Sequence, residues 1–206
     1  SLDDEFAAGG TKSMIADYVA IAGVANGSFG ISGTTEIATT QYGIAGRNGV
    51  MSYNSQINFA EITDGTSNTM MVGETGAWTY TNSTDFPRVD WRPSGALGFN
   101  WGCMGTKNTN SQDFTASDTR TQVFNTTTLR YAINSNGYDA GSDGKGDCTS
   151  GYCYDYGNNA PLRSDPSVGV QVLFADGSVH FISETIAGTT FGPLAVRNDG
   201  LVVSIP

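Results

Sequence analysis

The sequence has little positive charge. Ten Lys and Arg residues stand against 20 Asp and Glu residues in a chain of 206, so the formal net charge is −10. The basic residues are scattered rather than clustered, and a field of this sign repels nucleic acid and anionic lipid. We therefore expect no nucleic-acid partner. No apolar run approaches the ~20 residues of a spanning helix, so we expect no direct membrane insertion by this chain.

Histidine is also scarce. His180 is the only one, so a Ser-His-Asp triad or a histidine-based metal site would have to use it. Its neighbours Asp176 and Ser178 are the nearest possible partners, but we predict that both belong to a turn, which favours an ordinary strand position for His180 over a general base. No pair of carboxylates stands out as the acid and base of a hydrolase. We predict a protein without enzymatic activity.

Cysteine occurs three times, which is an odd count. Cys148 and Cys153 lie in "CTSGYC", a short loop whose glycine allows it to close into a disulfide in an oxidising compartment. Zinc is the alternative, but the spacing and the lack of a nearby histidine or second cysteine pair count against it. Cys103 would then be free, or paired with a cysteine outside this chain.

The sequence is rich in glycine, with 27 residues, while charged residues make up only 15%. Apolar residues recur with period two between turn signals such as Asp-Gly. This pattern predicts a mainly β (α+β) fold, with an antiparallel sheet, hairpins and long irregular loops in one globular domain over residues 1–206. Strands are predicted at 17–24, 57–62, 69–74, 127–133, 169–182 (a hairpin) and 201–205, with a short helix near 193–197.

The hairpin in "GVQVLFADGSVHFI" is the clearest local signal. Asp176 and Gly177 fit the two central positions of a type I′ turn, where both residues need positive φ. That turn pairs Phe174 with Val179 and directs Phe174 and Phe181 to one face, with His180 on the other.

Two segments, about 79–118 and 134–165, lack periodicity, and loops of this length are usually functional or disordered. The second contains "DAGSDGKGD", where Asp139, Asp143 and Asp147 offer oxygen ligands among glycines. Calcium is therefore the one cofactor suggested, although the spacing differs from the EF-hand pattern and a solvated acidic loop is the alternative.

Aromatic residues are frequent in the same two segments. Trp91, Trp101 and Tyr154 are candidates for a surface that stacks on the sugars of a polysaccharide. The alternative is that these rings anchor the long loops to the core.

Several segments resemble a large planctomycete family of prepilin-like proteins. They occur in the family's order: "ADYVAIAGV" (16–24), "EITDGTSNTMMVGE" (61–74), "FNTTTLRYAIN" (124–134), "VGVQVLFADGSVHFISETI" (168–186) and "LAVRNDGLVVS" (194–204). The resemblance implies a pseudopilin-like plan, in which a long N-terminal helix supports a β-rich head. It also implies an extracellular or cell-surface location, with other copies or pilin-like subunits as partners.

The chain departs from this family in two places. The family signature places a histidine ten residues before the Asp-Gly of Asp176 and Gly177, and this chain has Pro166 there. The family's hydrophobic N-terminal helix is not part of this sequence, so we expect the chain to be the C-terminal head of a longer protein. We expect a non-enzymatic structural subunit of a surface filament or envelope assembly, or alternatively a secreted module that binds polysaccharide or another solute.

Overall fold

The structure is a computed structural model that describes residues 17–34, 36–39, 43–53, 55–76, 78–80, 88–90, 126–135, 159–165, 168–203 and 205. The strands are β1 (Tyr18–Val24), β2 (Glu36–Thr39), β3 (Gly43–Gly46), β4 (Met70–Glu74), β5 (Trp78–Tyr80), β6 (Arg88–Asp90), β7 (Thr126–Leu129), β8 (Gly169–Phe174) and β9 (Val179–Ser183). A short helix, α1, covers Gly188–Phe191, and 3₁₀ turns cover Phe59–Glu61, Thr66–Asn68 and Pro193–Ala195.

The main sheet has five strands in the order β7-β1-β4-β8-β9. All neighbours are antiparallel except β1 and β7, which run parallel. Two small antiparallel pairs, β2 with β3 and β5 with β6, complete the described strands. The prediction of a mainly β fold is confirmed, and the sheet is mixed, because β7 runs parallel to β1 while the other pairs are antiparallel as predicted.

The hydrophobic core lies on one face of the main sheet. Strands β1, β4, β8 and β9 direct apolar side chains to this face, and α1 with the 193–195 turn covers them. Phe191 of α1 is buried and its ring meets Phe29 edge-on at 5.4 Å. Leu162 fills the space above Gly73 of β4, where a Cβ atom would lie 2.7 Å from both Leu162 methyl groups. This face therefore depends on close packing as well as on apolar area.

Two predicted strands are wrong. The 57–62 segment contains the 3₁₀ turn Phe59–Glu61 with a capping box, in which Asn58 Oδ1 accepts the Ala60 N–H at 3.0 Å and Glu61 Oε2 accepts the Asn58 N–H at 2.9 Å. This local hydrogen bonding overrides the alternation of apolar residues. The described residues of 201–205 form no strand. The helix predicted near 193–197 is the 193–195 3₁₀ turn.

Four strands were not predicted, namely β2, β3, β5 and β6. The β5–β6 pair overlaps the segment that we expected to be irregular, from about residue 79 to 118. Among the described residues, no helix combines the length and the apolar character needed to cross a membrane.

Candidate interaction surface

The turn between β8 and β9 has three loop residues, Ala175, Asp176 and Gly177. The Gly177 N–H donates to the Phe174 carbonyl at 3.0 Å, and the Phe174 N–H donates to the Ser178 carbonyl at 2.9 Å. Gly177 has φ of 89°, and no other residue of the loop has positive φ. This is a type I turn followed by a glycine bulge, so the predicted type I′ turn is wrong.

The extra loop residue shifts the hairpin register by one position. Val172 lies opposite His180, and Leu173 lies opposite Val179. His180 therefore shares the face of Phe174, and the two rings meet edge-on at 5.1 Å. The predicted arrangement, with Val179 and Phe181 in the core and His180 on the other face, is wrong because a one-residue slip exchanges the two faces of a strand.

The shift places two large apolar side chains in solvent. Val179 is 62% exposed and Phe181 is 49% exposed. Cross-strand pairing continues the Val179 row through Leu173 and Val72, which are half-buried, to Ala20, which is buried. The outer face of the sheet thus becomes more exposed toward β9, the strand at its edge.

The backbone of β9 is also open on its outer side. Phe174 and Ser178 form a hydrogen-bonded pair, and the Glu184 N–H donates to the Val168 carbonyl at 3.1 Å. Because bonded and non-bonded pairs alternate in antiparallel strands, the odd-numbered residues of β9 direct their N–H groups away from β8. These residues are Val179, Phe181 and Ser183, and no group in the described part of the chain accepts a hydrogen bond from their N–H groups.

The opposite edge of the sheet, β7, is covered. Asn159 accepts the Ile44 N–H at 2.7 Å and donates to the carbonyls of Ile44 at 3.0 Å and Thr128 at 2.9 Å. The Gly46 N–H donates to the Thr128 hydroxyl at 2.8 Å, and all four residues of β7 are buried. Since an uncovered edge is a template for pairing with another strand, β9 is the edge strand that the described residues leave available for it.

The three polar residues around the β8–β9 turn are linked in a chain. Asp176 Oδ1 accepts the Ser178 hydroxyl at 2.6 Å and the Ser178 N–H at 2.9 Å, and these bonds lower the pKa of Asp176. His180 Nε2 lies 2.9 Å from the Ser178 oxygen. The Ser178 proton is directed to Asp176, so His180 donates to Ser178 rather than accepting from it. This arrangement fixes the turn, and it differs from a catalytic triad, in which histidine accepts the serine proton.

A second polar feature connects the C-terminal segment to the body of the domain. Asp64 is 4% exposed, and its carboxylate accepts the N–H groups of Asp199 at 2.7 Å and Gly200 at 2.9 Å. Asp199 Oδ2 is buried and has no hydrogen-bond partner among the described residues. Burial raises the pKa of Asp199, and the nearby negative charge of Asp64 raises it further. The Asp64 carboxylate therefore stabilises the turn at Asp199 and Gly200. Repulsion between the carboxylates of Asp64 and Asp199 destabilises the same turn.

Arg197 supports the same segment. Its Nη1 donates to the carbonyls of Arg47 and Gly49, the latter at 2.7 Å, and its own carbonyl accepts the Asp64 N–H at 3.2 Å. Burial lowers the pKa of Arg197. These contacts join the C-terminal segment to the backbone near Arg47, Gly49 and Asp64, and their role is structural.

Most of the site residues predicted from sequence lie outside the described residues. These are the proposed calcium ligands Asp139, Asp143 and Asp147, the cysteines Cys148 and Cys153, and the aromatic residues Trp91, Trp101 and Tyr154. In the part of the chain that the structure describes, no three His, Cys, Asp or Glu residues come close enough to hold a metal ion. Asp176 and Gly177 lie in the β8–β9 loop.

The described residues define a mixed β-sheet with one edge, β7, that is covered, and another edge, β9, that none of them covers. The chain belongs to a family described as "Protein of unknown function (DUF1559)", whose family model matches residues 4–189. No curated protein and no solved structure gives a significant match.

Proposed function

We propose that this chain is a non-enzymatic structural subunit of a surface filament or envelope assembly. The observation that carries the proposal is the open edge of β9, where exposed Val179 and Phe181 accompany unpaired backbone N–H groups. Monomeric proteins usually protect such edges with lysine, proline or a covering segment. Here β7 is covered by Asn159 and β3, whereas β9 has no comparable cover among the described residues.

The resemblance to prepilin-like proteins supports the same role. It implies export through a type IV pilus or type II secretion-like route, and an extracellular or cell-surface location. Copies of the chain or pilin-like subunits are then the partners, and the β-sheet domain is the pseudopilin-like head.

Imaging of native material tests this function. Antibody against the purified chain should label a repeating assembly on the cell surface, and fractionation should recover the chain in particles larger than a monomer. A chain that is diffusely distributed and recovered only as a monomer from native material would contradict the proposal.

The second candidate is a secreted module that binds polysaccharide or another solute. The label of the matched family model, SBP_bac_10, points to a relation with bacterial binding proteins. Trp91, Trp101 and Tyr154 stay the predicted ligand-facing aromatic residues, and Asp139, Asp143 and Asp147 the predicted calcium ligands. Glycan arrays and calorimetry with and without calcium test this role, and the absence of any ligand at millimolar concentration contradicts it.

A further inference from the structure

We propose that β9 pairs with β9 of a second copy of this chain, antiparallel and about a two-fold axis at Phe181. The inference rests on the proposed function and names the partner that the open edge accepts. It joins two five-stranded sheets through their β9 strands.

The hydrogen-bonding pattern of β9 is symmetric about Phe181. The strand runs from Val179 to Ser183, and its outward residues are Val179, Phe181 and Ser183. Pairing about Phe181 sets Phe181 opposite Phe181 of the second copy and Val179 opposite its Ser183, which aligns every outward residue with another outward residue. A shift of two residues in either direction leaves one outward residue of each strand without a counterpart within β9.

This register allows about four backbone hydrogen bonds between the copies, since an antiparallel bonded pair exchanges two. Two of them join the Phe181 residues. The other two run from each Ser183 N–H to the Val179 carbonyl of the second copy. The Ser183 carbonyl is not counted, because it already accepts the Ile186 N–H at 3.1 Å.

The distribution of charged residues around β9 permits this pairing, although the net charge of the chain is −10. Strand β9 has the sequence VHFIS, which contains no Asp, Glu, Lys, Arg or Pro. The nearest acidic residues are Asp176 and Glu184. In the symmetric register Glu184 lies opposite Ser178 and Asp176 opposite Ile186, so like charges do not oppose one another. A basic partner strand, by contrast, finds no carboxylate within β9 to attract it.

The same register buries the apolar side chains that are now exposed. Val179 and Phe181 point to the same face, because they are two residues apart in a strand. Pairing brings the two Phe181 residues together, with Cα atoms about 5.5 Å apart, and continues the outer face across the junction. Neighbouring aromatic rings in this position stabilise a strand pair.

Sedimentation equilibrium of the wild-type chain and two lysine variants tests the proposal. The wild type should form dimers in a concentration-dependent way. Phe181→Lys should weaken dimerisation at least tenfold, because it places two lysines opposite each other at the axis. Phe59→Lys is the matched control, since Phe59 is 73% exposed and lies far from β9 in sequence, and it should leave dimerisation unchanged.

Cysteine cross-linking tests the register without depending on the fold of Phe181→Lys. Phe181→Cys should give disulfide-linked dimers above the background of the wild-type chain oxidised in parallel, because about 5.5 Å between Cα atoms permits a disulfide. Ser183→Cys should not, because four residues of strand separate the two positions by about 14 Å. Equal cross-linking at both positions overturns the register.

The outcomes separate this inference from the proposed function. If Phe181→Lys and Phe59→Lys dimerise like the wild type, β9 self-pairing is refuted while a structural role through another surface stands. If the wild type stays monomeric in solution but Phe181→Lys is lost from the native assembly, β9 accepts a strand of another protein, and the second-copy proposal is again refuted. Failure to find the chain in any native assembly refutes the proposed function itself.

Discussion

Replacing Asn159 by alanine should both destabilise the domain and uncover the protected edge of the sheet. The Asn159 side chain is 9% exposed and makes three hydrogen bonds to backbone groups of Ile44 and Thr128. Alanine leaves all three groups without that partner. At roughly 1 kcal/mol for each, the free energy of unfolding should fall by about 3 kcal/mol, or by about 2 kcal/mol where water replaces part of the contact.

Urea denaturation of the wild type and Asn159→Ala measures this loss, and hydrogen exchange locates it. The Ile44 amide should exchange much faster in the variant, because its acceptor is the Asn159 carbonyl. Asn198→Ala, at an exposed asparagine, is the control and should change stability by less than about 0.5 kcal/mol. A loss of that small size in Asn159→Ala, with unchanged exchange at Ile44, would show that the side chain does not cover β7.

Two further substitutions test the hairpin and the acidic pair. Gly169→Ala should lower stability by about 1–3 kcal/mol in urea denaturation, because a Cβ atom would lie 2.3 Å from the Ile182 carbonyl oxygen and 2.5 Å from the Phe181 ring; an unchanged midpoint would contradict this close packing. Asp199→Asn should stabilise the domain at neutral pH. The pKa of Asp199 is raised in the folded state, so its contribution to the free energy of unfolding is fully present below its unfolded pKa. That contribution is lost as the pH rises through the folded pKa. The gain should therefore disappear in acid, and a gain that is equal at all pH values would refute repulsion from Asp64.

The strands that sequence predicts well are those with a continuous run or an alternation of apolar residues. Strands β1, β4 and β8 fall within predicted segments, and β9 extends one residue beyond the predicted hairpin, to Ser183. The 57–62 segment alternates in the same way, but Asn58 and Glu61 form a capping box that turns it into a 3₁₀ turn. Alternation alone does not distinguish these cases, because the competing interaction is a hydrogen bond between side chain and backbone.

The sequence does not reveal the candidate surface, because the predicted type I′ turn is one residue shorter than the actual loop. Ala-Asp-Gly fits a two-residue type I′ turn and a three-residue loop with a glycine bulge equally well. Contacts distant in sequence decide between them: the Ala175 N–H donates to the Thr69 carbonyl at 2.9 Å, and the Asp176 N–H donates to the Thr66 carbonyl at 3.1 Å. The cover of β7 by Asn159 is equally invisible to a local pattern, since Ile44 is 115 residues away.

The difference between the two sheet edges limits what β9 pairing can build. A pair of β9 strands related by a two-fold axis uses the same surface on both copies and therefore closes at two. Strand β7 cannot extend the sheet further, because Asn159 and β3 occupy its outer side in each copy. A filament would require a second, different contact between such pairs. The structural role proposed for this chain thus separates into a closed β9 dimer and a contact elsewhere on the chain. Phe181→Lys should weaken the dimer at least tenfold without altering that second contact.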